Sequence, residues 1–440
     1  MANSGFDSAL QQALSRRNFL AIAGGGAAAG LLGACSSGSG SGAGARMTLS
    51  SWNIPADLTS YKKIAADYAQ AHPGTNIDVQ VTVADNFDAW LSARLAANNA
   101  PDILRLQYQD VGKYAKLGGL VDLREYFPKN YGDDFLAPYW GTVDIAGGLY
   151  GVPHQTDGWG IYLDNEIMAK VGADVPTKLE DAWGWDEFLT LAREVKKATG
   201  KYAFSFFFAP PVAGWRWLPF LYMHGGALLT PDLKSPAIDS PEGVEAIAYA
   251  QTWFKEGLIP PSNSVKGSQG NTAETLFIQH QVGMMISSDF KTTALRGKLP
   301  DERWTTTYLP KDEKVTTNLG GNALVVTKSA KAPAEAAKFA ETVCNPKNMK
   351  YFCEQGQLVP VRKEFIGKQL EWVYRPDLMK RFSEQAATLL PEMAQLQALP
   401  EFGSINQILT DQLDLCWTGQ QSPSETAKKI ADGIKSRLAT

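Results

Sequence analysis

The apolar and polar positions set out a regular order from the first residues of the folded chain. A short apolar run from Met47 to Trp52 predicts a strand, and Leu58, Tyr61, Ile64 and Tyr68 then recur at helical spacing until Pro73 and Gly74 stop them. Ile77, Val79, Val81 and Val83 alternate with other residues as a second strand. Phe87, Trp90, Leu91 and Leu95 predict a second helix, and the run PDILRL from Pro101 a buried third strand. Strand, helix, strand, helix, strand is the unit of a parallel sheet, and such sheets hold ligands beyond the carboxyl ends of their strands. Trp52 and Asn53 stand at that edge after the first strand, as do Tyr108, Gln109 and Asp110 after the third. The indole and amide are not needed by the helix that follows, which makes them ligand candidates, with plain core as the competing role for Trp52. Asp110 suits equally well as a cap for the helix VGKYAKLG.

Composition narrows the class. The chain has 440 residues, 44% hydrophobic and 20% charged, enough for a substantial core and two domains. A formal charge of −4 gives no basic excess, which excludes a nucleic-acid partner. His72, His154, His224 and His280 form no HExxH pair, so neither a metal nor a cofactor is expected. Residues 1–34 read as an export signal. Arg16 and Arg17 precede the weakly apolar run AIAGGGAAAGLLGA, which resembles a twin-arginine leader, and Leu32-Gly33-Ala34-Cys35 resembles a lipoprotein processing box. Residues 35–46 are then the lipidated Cys35 and a Gly/Ser tether. Beyond Cys35, an exported chain could pair Cys344 with Cys353, or these and Cys416 are buried thiols; both readings stand.

Six stretches carry a more specific signal: APDILRLQYQDVGKYAKLGGLVDL, GGLYGVPHQTDGWGIYLDNEIM, WGWDEFLTLAREVKKATG, FIQHQVGMMISSDF, LGGNALVVTKSAKAPAEAAKFAETV and LDLCWTGQQSPSETAKKIADGIKSRL. In this order they resemble the extracellular solute-binding proteins of carbohydrate ABC importers, specifically the lipid-anchored family 1 type of actinobacterial envelopes. The resemblance implies an α/β, two-lobed periplasmic-binding-protein-like fold with crossing hinge strands. It implies lobe one at 47–155 plus 305–343 and lobe two at 156–304 plus 344–440, with LYGVPHQTDGWGIYLD as the first crossing. It also implies a monomer on the outer face of the cytoplasmic membrane that delivers a sugar to a membrane permease.

Sugar chemistry offers a separate test. A pyranose needs carboxylates and amides for its hydroxyls and aromatic faces for its C–H patches. Gln109, Asp110, Gln155, Asp157, Asp289 and Asn322 fit the first need; Trp52, Tyr108, Trp159, Trp215, Trp217 and Phe290 fit the second, and Ser288 is a further polar candidate after the buried strand VGMMI. Asp157 and Gln155 favour ligand contact over helix capping, because GWGIYLD lacks helical periodicity. In GWRWLP, strand alternation sends Trp215 and Trp217 to one face and Arg216 to the other. Gly320 and Gly321 let backbone approach a solute closely, or form a turn. Arg362 is a candidate for an anionic group, with an internal acid as the alternative partner. These residues suit a neutral or amino sugar, mono- or oligosaccharide, better than a phosphorylated one. A polyol or glycerophosphodiester receptor is the alternative. A glycoside hydrolase using Asp157 and Asp289 is the competing enzyme class, disfavoured by the absence of any G-x-S-x-G elbow or Walker loop.

Overall fold

A computed structural model describes residues 45–82, 86–208, 214–268 and 272–438. Arg16, Arg17, the expected leader, Cys35 and nearly all of the tether lie outside the described residues. β1 (Arg46–Ser51), helix α1 (Pro55–Ala71), β2 (Asn76–Val81), helix α2 (Phe87–Ala96), β3 (Ile103–Gln107) and helix α3 (Tyr108–Lys116) follow one another as the periodicity predicts. Pro55 starts α1, where its missing N–H is no loss, and Tyr61, Ile64, Ala65 and Tyr68 form its buried stripe. The later strands are β4 (Asp144–Ile145), β5 (Gly148–Leu149), β6 (Val152–Gln155), β7 (Trp159–Asp164), β8 (Tyr202–Phe206), β9 (Val282–Ser288), β10 (Trp304–Thr307) and β11 (Asn322–Val326).

Two main sheets result, one in each lobe: β2-β1-β3-β11-β6 and β10-β7-β9-β8. β9 is buried along its whole length, so VGMMISS reads as a continuous run rather than an alternating one. In the first sheet β1 and β3 are parallel, while β11 runs antiparallel to both β3 and β6. The carboxyl ends of β1, β3 and β6 therefore share an edge with the amino end of β11. In the second sheet, the start of β7 pairs with the end of β9, Trp159 opposite Ser288.

The lobes are joined where three segments meet at Thr156. Its N–H donates to Val359 O at 2.9 Å, Val359 N–H returns a bond at 3.2 Å, and its hydroxyl donates to Gly320 O at 3.0 Å. The first crossing lies between β6 and β7. The other two boundaries move. Residues 305–307 belong to the second sheet, because β10 pairs antiparallel with β7 and places Thr307 opposite Ile161. The helix Pro346–Gly356 stays with the first lobe, its Phe352 ring 4.7 Å from Tyr61 of α1, so the third crossing comes at the Val359 pairing and not at 344. Cys344, Cys353 and Cys416 are free buried thiols, which settles against the Cys344 to Cys353 disulfide; burial pushes all three thiols up in pKa.

Candidate ligand-binding cleft

Three polar positions of the first sheet gather at one edge because of strand register, and Trp52 joins them through a hydrogen bond. Asn322 lies opposite Gln107 of β3 on one side and Gln155 of β6 on the other, and its side-chain oxygen accepts the Trp52 indole N–H at 3.3 Å. Trp52 is half-buried and packs on Phe87, with ring centroids 5.1 Å apart, while Asn53 is exposed beside it. Gln109 donates to Leu319 O at 2.8 Å and to Gln397 Oε1 at 3.3 Å, tying α3 to segments that come from beyond the crossings. Asp110 sits in the first turn of α3 without capping it; Gln107 is the N-cap residue. Burial, helped by the neighbouring Asp88, raises the Asp110 carboxyl to about 7.

The crossing point holds the unsatisfied groups. Gln155 is fully buried, and both its amide nitrogen and its amide oxygen lack a protein partner. Asp157 follows two residues later; burial pushes its carboxyl up against the opposing pull of Arg216 and Arg105. Gly320 and Gly321 make room for this pair. A Cβ on Gly320 would lie 2.7 Å from Asp157 Oδ2, and one on Gly321, whose φ is +91°, would lie 2.2 Å from Gln155 O. Buried polar atoms are almost always paired, so the Gln155 amide stands out at the crossing.

The second lobe supplies an aromatic and cationic wall. Residues 214–217 form a 3-10 turn, not a strand, and the expected alternation fails because that turn repeats every three residues. Trp217 is fully buried against Trp417, centroids 6.1 Å apart, and has no face for a sugar. Trp215 stays half-buried, with its backbone N–H on Asn406 Oδ1 at 2.8 Å. Arg216, expected to turn away, stands 4.5 Å from the Trp215 ring, 4.6 Å from Phe207 and 5.1 Å from Trp159. Its Nε and Nη1 are buried without partners, and burial lowers its pKa to about 10. Phe290 packs edge-on to Phe207 at 5.8 Å, and Lys291, paired with Glu274, lies over the same ring. Trp159 Nε1 and the Ser287 and Ser288 hydroxyls are also buried and unpartnered.

Three expected site residues have structural partners instead. Asp289 accepts the N–H of Gly158 at 2.9 Å and of Phe290 at 2.7 Å, so both oxygens staple β9 to the crossing. Tyr108 is fully buried and spends its hydroxyl on Gln155 O at 3.0 Å. Arg362 is buried on Phe135, bonded to Asp134 at 2.7 Å and to Cys344 O at 3.2 Å, which is the internal-acid alternative. Arg216 and Phe207 are the residues that sequence reasoning missed. The aromatic run FSFFF was the available signal for Phe207; alternation hid Arg216. A cavity of about 540 Å³ opens nearby between Ala115, Ile145, Tyr150, Leu233 and Leu399. Its lining is chiefly apolar, whereas recognition of a polyhydroxy solute needs convergent polar groups, and those lie at the crossing.

Residues 63–375 match the family of bacterial extracellular solute-binding proteins. The maltodextrin-binding protein MdxE of Bacillus subtilis is 23% identical over 360 residues, 78% of this chain and 79% of its own length. The cyclic alpha-maltosyl-1,6-maltose binding protein of Arthrobacter globiformis superposes with a TM-score of 0.75 at 19% identity, covering 90% of this chain and 99% of that one. The GacH receptor of Streptomyces glaucescens, solved unliganded and with acarbose, gives 0.72 at 20% identity, covering 90% and 98%.

Proposed function

The chain belongs to the bacterial extracellular solute-binding proteins, and we propose that within this family it captures a neutral or amino sugar between its lobes and delivers it to an ABC permease. The observation that carries this is Gln155, an amide with both polar atoms buried and unpartnered at the crossing, beside Asp157. An amide both donates and accepts, which matches a hydroxyl, and Trp215, Phe290 and Trp52 offer ring faces for the sugar's C–H patches. The names of the relatives supply the substrate class: a maltodextrin, a cyclic maltosyl maltose and acarbose for the three proteins above. No bond is made or broken. A sugar touching both lobes binds the shut form better than the open one, and that difference in affinity is what closes the protein.

Cys35 would tether the receptor to the membrane through a lipid, with the Gly/Ser stretch as a leash to the permease. The test is calorimetry with maltose, maltotetraose, trehalose, glucose, glucosamine, N-acetylglucosamine and glucose 6-phosphate. Binding of an uncharged or amino sugar in preference to the phosphate supports the reading; tightest binding of the phosphate, or of none, removes it. Cys35→Ala should release the protein from membranes, and retention of that variant would refute the anchor.

A further inference from the structure

The sequence turns Arg216 away from the cleft, and the fold turns it in. Its guanidinium is boxed by the rings of Trp159, Phe207 and Trp215 at 4.5–5.1 Å, contacts that fix its plane without using its N–H groups. Nε and Nη1 are buried with no partner. Asp157 stands two residues before Trp159, one ring of that box, and lies against residue 320, where a Cβ would meet its Oδ2 at 2.7 Å; Asn318 Nδ2 donates to Arg216 O at 3.1 Å, so both charged residues gather at one crossing, and no ion pair between them is found among the described residues. The carboxylate sits on the crossing and the guanidinium on lobe two.

We propose that Arg216 and Asp157 are a charge-matched pair that reads one uncharged hydroxyl of the bound sugar, held between them, and rejects a charged group at that position. This rests on the sugar-binding reading above. A guanidinium only donates, a carboxylate only accepts, and a hydroxyl does both, so one hydroxyl satisfies each partner. An ammonium there can only donate and is repelled by Arg216. A carboxylate or phosphate can only accept and is repelled by Asp157. The opposed charges also leave the subsite with no net preference for ions, although each charge alone would attract one.

The test starts from whichever sugar of the calorimetry panel the wild-type chain binds, with glucosamine and glucuronate as charged comparators. Arg216→Gln should weaken that sugar about tenfold or more, the scale of a lost charged hydrogen bond in a buried site. Arg216→Lys should not restore it, because an ammonium in the aromatic box lacks the planar fork. The charge preference provides the readout that a packing role would not move: Arg216→Gln should gain on glucosamine relative to glucose, and Asp157→Asn on glucuronate. The double variant should bind no worse than the weaker single one. Folded Arg216→Gln with wild-type affinity, or losses that simply multiply with unchanged charge preference, overturns the proposal and leaves sugar binding intact. A wild-type chain that binds none of the sugars overturns the functional reading and this inference together.

Discussion

The two walls of the cleft are finished to different degrees. On the lobe-one edge most of the candidate polar groups have found protein partners, with Ser51 Oγ at the end of β1 as the exception: Trp52 donates to Asn322, Gln109 to Leu319 O, Tyr108 to Gln155 O. At the crossing and on lobe two, Gln155, Trp159, Arg216 and Ser288 keep buried polar atoms with none. In the proposed reading, the first wall is preorganised by its own bonds and positions a guest, and the second is completed by it. Substitutions at lobe one should therefore move stability and affinity together, while those around Asp157 and Arg216 should move affinity alone. The walls touch through Gly320 and Gly321, so the comparison is broken most severely there.

Gly321→Ala is expected to have the largest effect. Its φ of +91° disfavours any L side chain, and the new Cβ would be 2.2 Å from Gln155 O, a backbone atom that cannot rotate aside. A loss of roughly 3 kcal/mol or more follows from strain plus overpacking. Gly367→Ala is the internal control: its φ is +70° and nothing lies within 4 Å of the added carbon, so it carries only the conformational term of about 1 kcal/mol. Equal denaturant midpoints for the two variants would show that crowding at the crossing is not what fixes glycine at 321.

Next in size is a contrast between two carboxylates that the sequence cannot tell apart. Asp289→Ala removes the acceptor for two backbone N–H groups in a fully buried site and should cost roughly 2–4 kcal/mol of stability. Asp157→Ala should leave the unfolding midpoint within about 1 kcal/mol and weaken sugar binding by roughly 1–3 kcal/mol. Chemical denaturation beside calorimetry decides it. The opposite pattern, with Asp289 dispensable for folding and Asp157 for binding left unchanged, would reverse their assignments.

That pair also shows where the sequence stops being legible. Periodicity located β1, α1, β2, α2 and β3 to within a few residues, because each has one clean apolar face. The extended run that the family resemblance offered as the first crossing, interrupted by polar residues, joins β6 to β7. It failed at Trp215 to Trp217, since four residues satisfy a two-residue and a three-residue repeat equally well, and only packing on Trp417 and Phe207 separates them. β10 was misassigned because the identity of its sheet depends on a partner, β7, some 140 residues earlier, which leaves no local trace. Asp157 and Asp289 each follow a buried polar stretch, and their difference lies wholly in which N–H groups reach them.

Asp110 sharpens the lobe-one side. Its carboxyl is raised to about 7 in the folded protein by burial and by Asp88, from about 3.9 in an unfolded chain. A raised acid binds more protons folded than unfolded, so stability falls as pH climbs from about 4 to 7 and the full penalty holds above 7. Asp110→Asn should thus stabilise the protein by roughly 1–3 kcal/mol at pH 8 and by almost nothing at pH 4. If the gain is the same at both, the cause is packing and not ionisation. A simultaneous loss of sugar affinity would mean that the carboxylate is retained for the ligand at the expense of stability.

The smallest expected effect tests whether the outer lip of the cleft contributes at all. Gln109, Gly112 and Lys116 lie on one face of α3 and meet the stretch 397–401: Gln109 bonds to Gln397, a Cβ on Gly112 would overlap Ala398 O at 1.9 Å, and Lys116 pairs with Glu401 at 2.6 Å. The ion pair is solvent-exposed on the lysine side, so Coulomb attraction, side-chain entropy and salt screening nearly offset one another. Lys116→Ala should change stability by no more than about 0.5 kcal/mol, and less at high salt. Because the pair forms only when α3 and that stretch are in contact, whatever it contributes should appear as a faster sugar off-rate at low salt, measured by stopped-flow tryptophan fluorescence. An off-rate that is unchanged at low salt places the hold on the sugar entirely at the crossing, with Gln155, Asp157 and Arg216.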